Sequence, residues 1–183
     1  PLTLWYRRPA LRWLESLPLG NGRLGAMQFG GVMSERLALN ESTFWSGAAS
    51  TNHDNPGGAA HLGEIRSRLF AGDFAGASKL MQEHLLGRQD TYGTHLPVGD
   101  LVIRPGHPQE AVRNYRRELS LDDGVARVEY GLGGVRYTRE VFASHPDHVV
   151  VVRFAADRRG AVSFDASFQG NQPGARVTAA APD

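Results

Sequence analysis

Residues 40 to 45 set Asn40, Glu41, Ser42, Thr43 and Trp45 almost in a row. An indole ring can lie on the face of a pyranose while neighbouring amide and carboxylate groups read its hydroxyls, so this set suits contact with a saccharide. The same residue types suit a structural task, because polar side chains at a strand end hydrogen-bond the backbone of a turn. Both readings stand for Asn40, Glu41 and Trp45 at this point.

Cleavage of a glycosidic bond usually needs two carboxyl groups at a defined separation. Glu41, Asp90, Asp100, Glu118 and Glu140 fall at expected strand ends or loops. Spacing along the chain does not set their separation in space, and each has a plainer reading. Arg116-Arg117-Glu118 and Arg139-Glu140 suit cross-strand charge pairs on a solvated sheet face. Asp100, just after residues 97–99, suits a turn-stabilising acceptor. The histidines, at 53, 61, 84, 95, 107, 145 and 148, never form the helical pair around a glutamate that a zinc hydrolase shows. His145 and His148 read as the solvated flanks of a Pro146-Asp147 turn. No metal site and no cofactor is expected, and the absence of cysteine excludes a disulfide framework and a thiol nucleophile.

The elements that would position these groups follow from hydrophobic period. Residues 24–29 alternate, Gly30-Gly31 suits a tight reversal, and residues 32–39 return with Leu37 and Leu39 on one face, an antiparallel hairpin. Gly20-x-Gly22-x-x-Gly25 has the spacing of a dinucleotide fingerprint but precedes a strand, which is the wrong context. Trp5, beside Leu2 and Leu4, reads as core. From 56 to 87 the period changes: Leu62, Ile65 and Leu69, then Phe74, Ala77 and Met81, mark two short amphipathic helices. Gly72 suits the cap of the first and Asp73 the N-cap of the second.

Beyond Pro97 the period returns to two. Strands are expected over 101–103, 115–121, 125–130, 135–142, 148–154, 161–168 and 176–179, with turns at Asp123-Gly124, Gly133-Gly134 and Pro146-Asp147. Strands at regular spacing joined by short turns predict a mainly β fold, an antiparallel sandwich with a two-helix insertion at about 56–87. At 183 residues the chain suits one domain. A net charge of +1 gives no electrostatic reason to expect nucleic acid or an anionic membrane, and no apolar run approaches the ~20 residues that span a bilayer. Opening at Pro1 and closing on Ala-Ala-Pro-Asp, the chain is expected to be a piece of a longer protein whose signal peptide, if it has one, is not included.

Several stretches carry a resemblance. Leu4-Trp5-Tyr6 with Pro9-Ala10, Trp13 with the run from Leu17 through Met27, and the run from Leu39 through Gly47 resemble the amino-terminal domain of glycoside hydrolase family 95, the α-L-fucosidases. Asn55-Pro56, Ile65-Arg66, Tyr92, the run from Leu96 to Leu101, Tyr115 to Leu119, and Tyr137 to Ser144 with Pro146-Asp147 extend it over essentially the whole chain. Thr94-His95 departs from it, since a Tyr-Gln type sequence is expected there.

The resemblance implies a large secreted or periplasmic bacterial hydrolase in which residues 1–183 form a β super-sandwich packed against an (α/α)6 barrel, its partner. It implies an inverting reaction on fucosylated oligosaccharides, with catalytic groups in the barrel and none at a position of this chain. Asn40, Glu41, Trp45 and His95 become candidates for the substrate rim. The alternatives are a parent acting on a related sugar such as L-galactose, a carbohydrate-binding sandwich without catalysis, and a purely structural domain.

Overall fold

The structure is a computed structural model and describes residues 1–47, 55–87, 93–170, 172–176 and 178. His53, Asp90, Tyr92 and most of the strand expected over 176–179 lie outside the described residues. The chain forms two compact units, one made of residues 1–44 together with the chain from Leu96 onward, the other spanning Trp45–His95.

Among the described residues, ten strands build the first unit: β1 (Thr3–Tyr6), β2 (Leu17–Gly20), β3 (Leu24–Gln28), β4 (Glu35–Glu41), β5 (Gly99–Pro105), β6 (Arg113–Ser120), β7 (Ala126–Leu132), β8 (Val135–Ser144), β9 (Val149–Ala156) and β10 (Phe164–Gly170). They form two five-stranded antiparallel sheets, ordered β1-β6-β7-β8-β9 and β10-β5-β4-β3-β2. The expected mainly β sandwich is therefore observed.

Alternation decides what meets between the sheets. Successive residues point to opposite faces, so β7 buries Ala126, Val128, Tyr130 and Leu132 while β8 buries Val135, Tyr137, Arg139 and Val141. Leu17, Leu19, Ala26 and Leu37 of one sheet pack with Leu119, Ala126 and Val141 of the other. A fully buried leucine contributes about 1.5–3 kcal/mol relative to an exposed one, so this cluster is a main source of cohesion.

The same alternation corrects two expectations. Arg117 and Arg139 do not share the solvated face with their neighbours Glu118 and Glu140; both are buried. They stand in an inner row that crosses the first sheet, Tyr6, Arg117, Val128, Arg139 and Phe154. Each guanidinium covers an aromatic ring, Arg117 over Tyr6 at 4.2 Å and Arg139 over Phe154 at 5.2 Å. Trp5 belongs to the adjacent outer row, Trp5, Glu118, Arg127, Glu140 and Arg153. It is 48% exposed, not core, and has Arg7 and Arg116 over its ring at 5.5 and 5.0 Å. The expected charge pairs do form on this outer face, from Arg116–Glu118 through Arg127 to Glu140–Arg153.

Two further corrections concern the second sheet. The return strand starts at Glu35 and not at Val32, because residues 29–34 form a wider connection. Gly30 has a positive φ of 77°, whereas Gly31 does not, and is needed because a Cβ there would meet the Ser34 carbonyl. Asp100 is a strand residue, not a turn acceptor, and takes a hydrogen bond from Arg36 Nε at 2.9 Å.

The second unit contains a 3-10 turn (Gly58–His61) and the two expected helices, α1 (Leu62–Phe70) and α2 (Phe74–His84). Gly72 takes a φ of 79° between them, and the Asp73 side chain accepts the Gly76 N–H at 2.9 Å as the N-cap. Of the six residues that define the expected apolar faces, Ile65 and Ala77 are buried, while Phe74 is 68% exposed.

Candidate functional site

Asn40 and Glu41 are the last two residues of β4, so the polar cluster begins inside the strand. Across the β3–β4 ladder they face Gly25 and Leu24. Neighbours on a strand point to opposite faces, and the two side chains accordingly have different surroundings. Asn40 is exposed and borders a groove of about 270 Å³ with Trp13, Met27, Ala38 and Pro97. Trp13 lies in a 3-10 turn and is 55% exposed.

Glu41 carries out the turn task. Its Oε1 accepts from Arg23 Nε at 3.0 Å, and its Oε2 accepts from the Thr43 N–H at 2.8 Å and the Thr43 hydroxyl at 2.6 Å. The Thr43 hydroxyl first, then Arg23 and the Thr43 amide, hold the Glu41 carboxyl below the usual carboxylate range. A carboxyl so held stays ionised and is poorly suited to donate a proton. Upstream, Gly22 turns β2 into β3 with a φ of 88°. Asn21 Oδ1 accepts the Leu24 N–H at 2.7 Å and places Arg23 toward Glu41.

Trp45 and His95 lie in the second unit and are brought together. They form an isolated antiparallel bridge, and their rings meet edge to face with centroids 5.1 Å apart. Ser46 N donates to the Thr94 carbonyl and Thr94 N to the Ser46 hydroxyl, both at 2.9 Å. Gly93 is required there, since an added Cβ would meet Gly47 N at 2.8 Å. Trp45 is 52% exposed.

Three features were not read from sequence. Arg23 could have been suspected from its place two residues after the turn-forming Asn21, but its pairing with Glu41 needs the hairpin register. Trp13 carried no periodic signal because its element is a 3-10 turn. The Glu35–Arg139 ion pair joins residues 104 apart, and no spacing rule announces it. Among the described residues no group of three or more histidines or carboxylates is placed to hold a metal ion, and no helix is long and apolar enough to cross a membrane.

A family model described as "Glycosyl hydrolase family 65, N-terminal domain" matches residues 4–183. "Alpha-L-fucosidase 2" of Arabidopsis thaliana is 37% identical over 170 residues, 92% of this chain and 20% of that protein. Two proteins named "Probable alpha-fucosidase A" are also similar. The one from Aspergillus niger is 33% identical over 148 residues, 78% of this chain and 18% of that protein. The one from Aspergillus oryzae is 30% identical over 145 residues, 76% of this chain and 19% of that protein. The chain thus spans about a fifth of the length of the curated relatives it matches.

Proposed function

This chain belongs to the family described as "Glycosyl hydrolase family 65, N-terminal domain", and from that premise we propose that it is the amino-terminal sandwich of a larger α-L-fucosidase. The parent, which we place in glycoside hydrolase family 95, removes terminal α-1,2-linked L-fucose from oligosaccharides with inversion, and is secreted or periplasmic. The sandwich supports the catalytic barrel and walls its entrance, with Asn40, Glu41, Trp45 and His95 as the side chains that reach substrate. The observation that carries this reading is the 37% identity, over nearly the whole chain, to a protein named an α-L-fucosidase. The relatives come from a plant and from fungi, and carry no assignment to bacteria.

The state of the carboxylates supports a division of labour. Inversion needs an acid and a base about 6.5–9.5 Å apart with room for a water. Glu35 is sealed against Arg139, Glu118 and Glu140 are tied into the outer ionic row, Asp100 is paired with Arg36, and Glu41 holds its turn. The ionic and hydrogen-bond partners of these five tie them into the fold, which supports placing the acid and base in the barrel, as the family resemblance implies.

The test is an assay of the full-length protein on a 2'-fucosylated oligosaccharide beside an L-galactoside, with the anomer first released followed by NMR. Release of β-L-fucose from the first supports the reading. Preferential cleavage of the L-galactoside, or retention of configuration, overturns the corresponding part of it.

A further inference from the structure

At one end of the first sheet Arg113 of β6 pairs with Gly131 of β7, and Gly131 pairs with Arg136 of β8. Directly opposed residues share a face, so the two arginines flank a position that has no side chain. A Cβ built on Gly131 would lie 3.9 Å from Arg113 Cβ, which confirms the shared face. Neighbouring strands stand about 4.8 Å apart, so the two arginine backbones are separated by about 10 Å. A cavity of about 430 Å³ opens at this place, also lined by Glu110, Asn114, Gly133 and Gly134.

The arginines differ from their neighbours in one respect. Along the same face Arg116, Arg127 and Arg153 are all paired with Glu118 or Glu140. Among the described residues Arg113 and Arg136 make no ion pair. A third cation, Arg158, stands at the rim, its Nη2 3.8 Å from where a Gly134 Cβ would be. Against these three charges are Glu110, packed on Gly133, and Asp157, whose Oδ1 accepts the Arg136 N–H at 2.9 Å. The cleft is therefore net positive.

Its backbone is also unusual. Asn114 has a φ of 53° within the bulge that shifts the β6–β7 register between Arg113 and Arg116. Asparagine takes this conformation more readily than other side-chain-bearing residues, and bulges recur where a side chain is re-aimed.

We propose that this cleft binds an acidic sugar residue, its oxyanion held by Arg113 and Arg136 and its hydroxyls by Asn114 and Glu110. A guanidinium presents a planar fork that matches a carboxylate or sulfate, and the volume falls in the range of ligand pockets. The saccharide part rests on the glycan-acting function proposed above, and the anion part does not.

The test is calorimetric titration of the full-length protein with trigalacturonate, with its methyl-esterified counterpart and with inorganic sulfate. Trigalacturonate binds, the ester does not, and binding weakens as salt is raised. Arg113→Gln and Arg136→Gln each weaken it by about tenfold, as loss of a hydrogen bond to a charged group predicts, with thermal unfolding and fucose release unchanged. Equal affinity for sulfate makes this a free-anion site and overturns the saccharide part. No binding of trigalacturonate, or binding unaltered in both variants, overturns the whole. Binding without fucose release leaves this site standing and removes the proposed function; fucose release without binding does the reverse.

Discussion

Arg139 of β8 and Glu35 of β4 form an ion pair between the two sheets, with both side chains essentially sealed from solvent. Nη1 of Arg139 donates to Glu35 Oε2, while Nη1 and Nη2 both donate to the Gly31 carbonyl at 3.0 Å. Glu35 Oε1 accepts the N–H groups of Gly30 and Arg36 at 2.7 and 3.0 Å. Burial pushes the Glu35 carboxyl up, and Arg139 with those two amides opposes it. One residue pair thus fixes the 29–34 connection against the opposite sheet.

Removing one partner leaves the other buried and uncompensated, which costs about 3–5 kcal/mol. Arg139→Met and Glu35→Gln are each expected to lower the urea midpoint strongly. The double variant Glu35→Leu/Arg139→Met is expected to recover much of the loss, because a buried pair replaced by apolar groups of similar volume is often neutral. Midpoints of the three variants check both statements.

Gly30 is held by two independent constraints. Its φ of 77° disfavours any side chain, and a Cβ would meet Tyr115 Oη at 2.5 Å and Arg117 Cδ at 2.9 Å. Tyr115 cannot easily give way, since its hydroxyl donates to the Gly30 carbonyl at 2.7 Å. Gly30→Ala is expected to cost at least ~1 kcal/mol, the loss exceeding what reduced freedom of the unfolded chain returns. Gly124, with a φ of 68° and nothing near its Cβ position, is the control and is expected to cost less as Gly124→Ala.

Acid sensitivity follows from two groups. Hydrogen bonds from Arg127 and then Arg153 hold the Glu140 carboxyl below its ordinary 4.5. Burial, and then the charge of Arg139, holds the His107 imidazole below its ordinary 6.5. Both folded values lie below the unfolded ones, so each contribution is present above the ordinary value and is lost as pH falls through the folded one. Urea midpoints are expected to fall as pH drops below 6.5 and again below 4.5. Glu140→Gln is expected to flatten the second fall, and an unchanged profile in that variant would contradict the assignment.

Trp45 is expected to act on substrate binding and not on folding, because half of it is exposed. Loss of an aromatic contact of about 0.5–1.5 kcal/mol corresponds to about a two- to twelvefold rise in KM for Trp45→Ala in the full-length protein, with kcat little changed. Unchanged KM and kcat would place Trp45 outside the substrate contacts.

Sequence pattern was a good guide wherever one local rule sufficed. The helix break at Gly72-Asp73 and the turns at Gly124 and Gly133-Gly134 are backbone demands written in residue type, and the structure shows them. Charged residues inside strands were harder. Arg117 and Glu118 read alike in composition, yet the pleat sends one inward over Tyr6 and the other outward to Arg127. That choice depends on which face the partner sheet covers, which is non-local information. Trp5 departs from its expected core place for the same reason, since an apolar neighbourhood in sequence does not reveal that its row points to solvent. Of the four rim candidates, Trp45 and His95 meet through a bridge that joins residues 50 apart, a proximity no sequence window contains.

The most direct test of the account is fucose release measured side by side for the full-length protein and for this 183-residue chain. The full-length protein is expected to turn over a 2'-fucosylated oligosaccharide, with the β-anomer appearing first, and the chain is expected not to. Turnover by the chain itself, or none by an intact and folded full-length protein, would contradict it.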